Sequence, residues 1–129
     1  MRVGLYITKN KQKYRNLISL IDLSKMKNIF FIHIQDNQSL KKEFTNLDVL
    51  VTYKITPELF QYRSDRLKWI HIGSSGIEDN LFDDILKSKV IITNSKGINA
   101  KPVAEFIMSQ IFYFAKRVNE CNHFKLNRQ

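Results

Sequence analysis

Short apolar, β-branched runs alternate along the chain with stretches whose apolar residues recur at helical spacing. Residues 2–8 read as a first strand, and Tyr14, Leu17, Ile18 and Ile21 mark a helix after it. Residues 28–34 are almost continuously apolar, the pattern of a strand buried on both faces of a parallel sheet. A short helix or turn at 40–44 and a third strand at 48–52 follow. Pro57 opens a short helix, as proline does at a first helical position. Residues 67–72 form a fourth strand, 78–88 a fourth helix, and 90–93 a fifth strand. Pro102 opens a long helix reaching about Val118.

Five strands alternating with helices predict an α/β fold with a parallel sheet covered on both faces. The spacing fits a flavodoxin-like doubly wound sheet in the order 2-1-3-4-5, with residues 1–101 as its domain and 102–129 as a linker helix and tail. Such sheets bind ligands at the carboxyl ends of their strands, which directs attention to the loops after Thr52, Ile72 and Thr93.

Composition narrows the class. With 43% hydrophobic and 26% charged residues the chain is that of a soluble globular domain. Its length suffices to bury about two-thirds of the unfolded chain's surface without a metal or disulfide. The one cysteine, Cys121, excludes an internal disulfide, fits a reducing cytoplasmic setting, and reads as structural filler, not a nucleophile. No run approaches the ~20 apolar residues of a membrane span, and no signal-peptide core is visible. The net charge of +9 raises nucleic-acid binding as a possibility. However, the lysines and arginines are scattered, from Lys9 to Arg15, at Lys41 and Lys42, and at Lys125 and Arg128, and, Tyr14 apart, the aromatic residues fall inside apolar runs and not between the basic ones as a base-stacking platform requires.

Two loops carry candidate chemistry. Gly73-Ser74-Ser75-Gly76 runs straight into the predicted fourth helix, so the amides of Ser75, Gly76 and Ile77 can hold a carboxylate. The spacing Ser75-x-x-Glu78 equally suits a capping box that merely finishes the helix. In the second loop Asn99 can donate and accept from one side chain, or simply stabilise a turn or cap the helix that follows. His33 and His71 lie inside strands and read as satisfied, half-buried residues; His123 falls in a polar tail. No Cys/His cluster has metal-ligand spacing.

Taken in order, Leu67-Lys68-Trp69-Ile70, Ser75-Gly76-Ile77-Glu78, Val90-Ile91-Ile92-Thr93-Asn94, Asn99 and Val103-Ala104-Glu105 resemble the NAD-dependent D-isomer-specific 2-hydroxyacid dehydrogenases. The resemblance extends over essentially the whole chain, with Ser75, Ile77 and Glu78 departing from the family's commoner Ala, Val and Asp. It implies the substrate-binding part of an oxidoreductase that moves hydride between NAD(H) and a D-2-hydroxy or 2-oxo acid. It further implies that Ser75, Gly76 and Ile77 hold the substrate carboxylate and that Lys54 stands where many members place a substrate-contacting arginine. Asn99 would face both substrate and nicotinamide, and Val103 would lie near the cofactor. In the family the NAD-binding Rossmann domain and the catalytic Arg, Glu and His follow the long helix, and the intact enzyme is a homodimer. The four glycines here form no G-x-G-x-x-G, so no catalytic residue is assigned. The chain is expected to be a truncated piece, inactive alone; a stand-alone flavodoxin-like module binding a small anion or a protein is the competing expectation.

The long helix supports this reading. Val103, Ile107, Ile111, Phe114 and Val118 make one apolar stripe, and Ala104, Met108, Phe112 and Ala115 a second beside it. A helix apolar over most of its circumference needs cover on more than one side. The chain alone is therefore expected to self-associate or to leave this helix partly disordered.

Overall fold

The computed structural model describes residues 1–127; Arg128 and Gln129 lie outside the described residues. Five parallel strands, β1 (Arg2–Tyr6), β2 (Phe30–His33), β3 (Val49–Thr52), β4 (Trp69–Ile72) and β5 (Ile91–Asn94), form one sheet in the order β2-β1-β3-β4-β5. The fold is therefore α/β and flavodoxin-like, with the predicted strand order. Register aligns Val3 with Val49, Val49 with Trp69, and Trp69 with Ile91. Alternate residues of successive strands thus share a face.

One face packs against α2 (Asn37–Phe44), α3 (Pro57–Phe60) and α4 (Asp83–Leu86). Leu40, Phe44, Leu59, Phe60 and Ile85 from these helices bury Leu50, Ile70 and Ile72 of the sheet. The other face carries Val3, Leu5 and Val49 under Tyr14, Leu17 and Ile18 of α1 (Lys11–Ser19). Asn10 caps α1, its side chain accepting the amides of Gln12 and Lys13. An apolar groove of about 350 Å³ lies on this face, lined in part by Val3, Leu5, Ile21, Phe31, Val51 and Trp69.

Several elements differ from the sequence expectation for identifiable reasons. β2 is an edge strand, so Phe30 is 62% exposed and the run is not buried on both faces. The expected helix at 78–88 is two short pieces, a 3₁₀ turn at Glu78–Asn80 and α4, because Leu81 adopts an extended conformation between them. The helix opened near Pro102 is α5 (Ala100–Ala115); Arg117 at φ 50° breaks it from α6 (Val118–Leu126), where only a polar tail had been expected. A second 3₁₀ turn, Leu23–Lys25, was also not expected and is capped by Asp22.

Residues 1–96 form one compact unit, and the chain from Gly97 onward forms another. In the second unit no described residue is buried: α5 exposes Val103, Phe106, Ile107, Met108, Ile111, Phe112 and Phe114 by 48–72%. Cys121 on α6 is exposed, so it is not packing filler. No helix among the described residues is long and apolar enough to cross a membrane.

Candidate functional site

A cavity of about 310 Å³ opens at the carboxyl ends of β3 and β4, walled by Tyr53, Lys54, Ser74, Gly76, Glu78, Asp79 and Asn80. Its position follows from the topology, since the loops of adjacent parallel strands emerge side by side at this edge. Of the residues singled out in the sequence, Lys54 and Gly76 line it, and Ser75 and Ile77 flank Gly76 in the same loop. Asn99 and Val103 belong to the second unit: Asn99 precedes α5 without a side-chain capping bond, and both are exposed.

Each wall is fixed locally. Thr52, buried at the end of β3, donates its hydroxyl to the Lys54 carbonyl at 2.9 Å and accepts the Lys54 amide at 3.2 Å. The backbone turns tightly there, while the Lys54 ammonium stays exposed and makes no ion pair among the described residues. Asn80 is buried, and its carbonyl oxygen accepts the Ile55 amide at 2.8 Å, tying the loop after β3 to the 3₁₀ turn. A side chain at Gly73 would press on the Tyr53 ring, its Cβ falling 2.9 Å from Cε1.

The loop between β4 and the 3₁₀ turn has three consecutive peptide groups held by their carbonyls. The Ser95 amide donates to the Ser74 oxygen at 3.1 Å, and to that of Ile72 at the same distance. Asn94 Nδ2 donates to the Ser75 oxygen at 2.7 Å. The Ser74 hydroxyl donates to the Gly76 oxygen at 2.7 Å.

The Ile77 amide is already taken, donating to Glu78 Oε2 at 2.8 Å. Glu78's own amide and that of Ile77 hold this carboxylate below its usual range, with Lys96 assisting. Ser75 makes no capping-box contact, and the 3₁₀ turn has no side-chain cap. Of the amides of Ser75, Gly76 and Ile77, that of Ile77 thus binds a carboxylate, but it is the chain's own.

Sequence reasoning missed Thr52, Asn80, Asn94 and Ser95. The available signal was a polar residue closing an apolar strand, as Thr52 and Asn94 do. Asn80 carried no such mark, because its burial depends on the break at Leu81. His33 and His71 are satisfied as expected: His33 Nε2 lies 2.7 Å from the Thr8 carbonyl and its ring stacks on Tyr14. His71 is half-buried between Thr93 and Ser95. His123 lies on α6, bonded to Asn127.

No family model and no curated protein matches the chain. Among solved structures it is similar to the PH0520 protein of Pyrococcus horikoshii OT3, with 21% identity and a TM-score of 0.62. That likeness covers 98% of this chain and 37% of the other, so the chain spans little more than a third of its neighbour's length. At this level of identity the likeness establishes the fold.

Proposed function

We propose that this chain is the substrate-binding part of an oxidoreductase of the D-2-hydroxyacid dehydrogenase type, holding a small 2-hydroxy or 2-oxo acid by its carboxylate. The observation that carries the reading is the convergence of Lys54 and the Ser74–Gly76 loop on one cavity at the carboxyl ends of β3 and β4. An ammonium without an ion pair among the described residues, and a loop whose Ile77 amide donates to a carboxylate, are the kinds of group such a ligand requires.

The cofactor would be NAD, with hydride passing between the nicotinamide and the C2 carbon of the acid. The residues described do not make a dinucleotide cradle. The loop after β1 holds no glycine, and the α1 amides that a pyrophosphate would use are taken by Asn10. The NAD site is therefore assigned to a separate domain joined to this one, in an enzyme working as a homodimer. Asn99 and Val103 would contact the nicotinamide, and this chain by itself would have no dehydrogenase activity.

One observation favours a second reading, a flavodoxin-like module that binds a small anion or a protein without catalysis: Glu78 fills the Ile77 amide. The substrate-binding reading is tested on the 129-residue chain. Oxalate, a compact stand-in for a 2-oxo acid, should shift the amide resonances of Ser75, Gly76 and Ile77 saturably, and Lys54→Ala should weaken binding about tenfold. Acetate, which lacks the second oxygen function, should bind more weakly. Absence of any saturable shift with oxalate would sink the substrate-binding reading.

A further inference from the structure

On the sheet face carrying Val3 and Val49, β4 and β5 bear a continuous polar ladder. Trp69 Nε1 donates to Thr93 Oγ1 at 2.7 Å. His71 Nδ1 lies 2.9 Å from the same hydroxyl, and His71 Nε2 lies 3.1 Å from Ser95 Oγ. Both imidazole nitrogens are therefore engaged. A neutral imidazole has one donor and one acceptor, and each hydroxyl can play either part, so both tautomers satisfy the chain of bonds.

The ladder ends on the residue that grips the cavity wall. Ser95, held by its side chain to His71, uses its amide on the carbonyls of Ile72 and Ser74, while adjacent Asn94 holds the carbonyl of Ser75. In a trans peptide the C=O and N–H point in opposite directions. Fixing the Ser74 and Ser75 carbonyls toward β5 therefore fixes the direction of the Ser75 and Gly76 amides, two of the three proposed to meet a carboxylate.

We propose that His71 is a positioning residue for the cavity loop: by bridging Thr93 and Ser95 it locks the carboxyl end of β5 onto residues 74–76. The role of the loop in binding rests on the function proposed above; the lock itself does not. Nothing in it requires His71 to touch a ligand or to change protonation.

The test uses four variants of the 129-residue chain and hydrogen exchange read by NMR. In His71→Ala the Ser95 amide should exchange about threefold to tenfold faster, the scale of one lost hydrogen bond, and amide order parameters at 74–77 should fall. Amides of β1 and β3 should keep their rates, which separates loop release from general destabilisation. His71→Gln places a side-chain amide near the Nε2 position and should retain Ser95 protection. His71→Asn reaches only Thr93 and should behave like His71→Ala. Ser95→Ala breaks the bridge from its other end and should loosen 74–77 even if the His71 variants fold poorly. Unchanged Ser95 exchange in His71→Ala, or equal loss in the Gln and Asn variants, would overturn the lock. Oxalate titration of the unsubstituted chain is a separate arm. Failure to bind there refutes the substrate reading and leaves the lock standing, whereas oxalate binding that is unweakened in a loosened Ser95→Ala loop refutes the link between them.

Discussion

The side-chain oxygen of buried Asn80 accepts the backbone amide of Ile55 at 2.8 Å, joining the loop after β3 to the turn after β4. Both walls of the cavity depend on this bond, because Lys54 precedes Ile55 and Glu78 and Asp79 precede Asn80. Asn80→Ala leaves a buried amide without a partner, a loss of about 1–3 kcal/mol. Urea denaturation should show a lower midpoint with an unchanged slope. An unaltered midpoint would mean that water or a shifted loop satisfies Ile55.

Gly4 and Gly73 should respond differently to alanine. A Cβ at Gly4 would lie 2.5 Å from Leu47 Cδ1 and 2.8 Å from Ile34 Cδ1, and both side chains are fully buried. Overpacking of this kind costs about 1–3 kcal/mol. At Gly73 the obstacle is the Tyr53 ring, which is 56% exposed and can swing outward. Gly73→Ala should therefore cost less stability but alter the cavity wall, so thermal melts should separate the two variants.

Acid should weaken the link between β1 and β3. The Arg2 amide donates to Asp48 Oδ2 at 2.7 Å, and Arg66 donates to Oδ1 at 3.2 Å. The Arg2 amide chiefly, then Arg66 and the N-terminal ammonium, hold the Asp48 carboxyl below its usual range against the opposing effect of burial. A carboxyl lowered in the folded state contributes stability that is complete above its unfolded value, about 3.9, and is lost as pH falls through the lower folded value. Asp48→Asn should be less stable than the unsubstituted chain at pH 7. The gap should close below about pH 4, as chemical denaturation across pH 2–7 would reveal. A gap independent of pH would assign the effect to packing.

The exposed apolar surface of α5 should drive association of the chain with itself. Phe106 is 65% and Phe114 72% exposed, and burying a large apolar side chain is worth about 1.5–3 kcal/mol. Sedimentation velocity should show mass rising with concentration, and replacing Phe106 and Phe114 by serine should shift the transition to at least about tenfold higher concentration. A monomer at high micromolar concentration with α5 protected from exchange would contradict this.

The alternation of apolar runs and helical spacings determined the five strands and their parallel arrangement, and the match to a flavodoxin-like topology supplied their order. Runs such as Val49-Leu50-Val51 and Trp69-Ile70-His71-Ile72 can be buried in few ways, and helical crossovers between them leave one common topology. It also placed the loops after Thr52 and Ile72 at the edge where such sheets bind ligands, because strand ends are legible wherever apolar runs stop, whereas Lys54 stood out only through the resemblance to the dehydrogenases. Tertiary structure decided what those groups touch. The burial of Asn80, the capture of the Ile77 amide by Glu78 and the bridge from His71 to Ser95 each join residues from different segments or depend on a local break in helix geometry. Periodicity records which face a residue occupies, whereas a hydrogen bond is settled by distances of a few tenths of an ångström, which only the packed sheet sets.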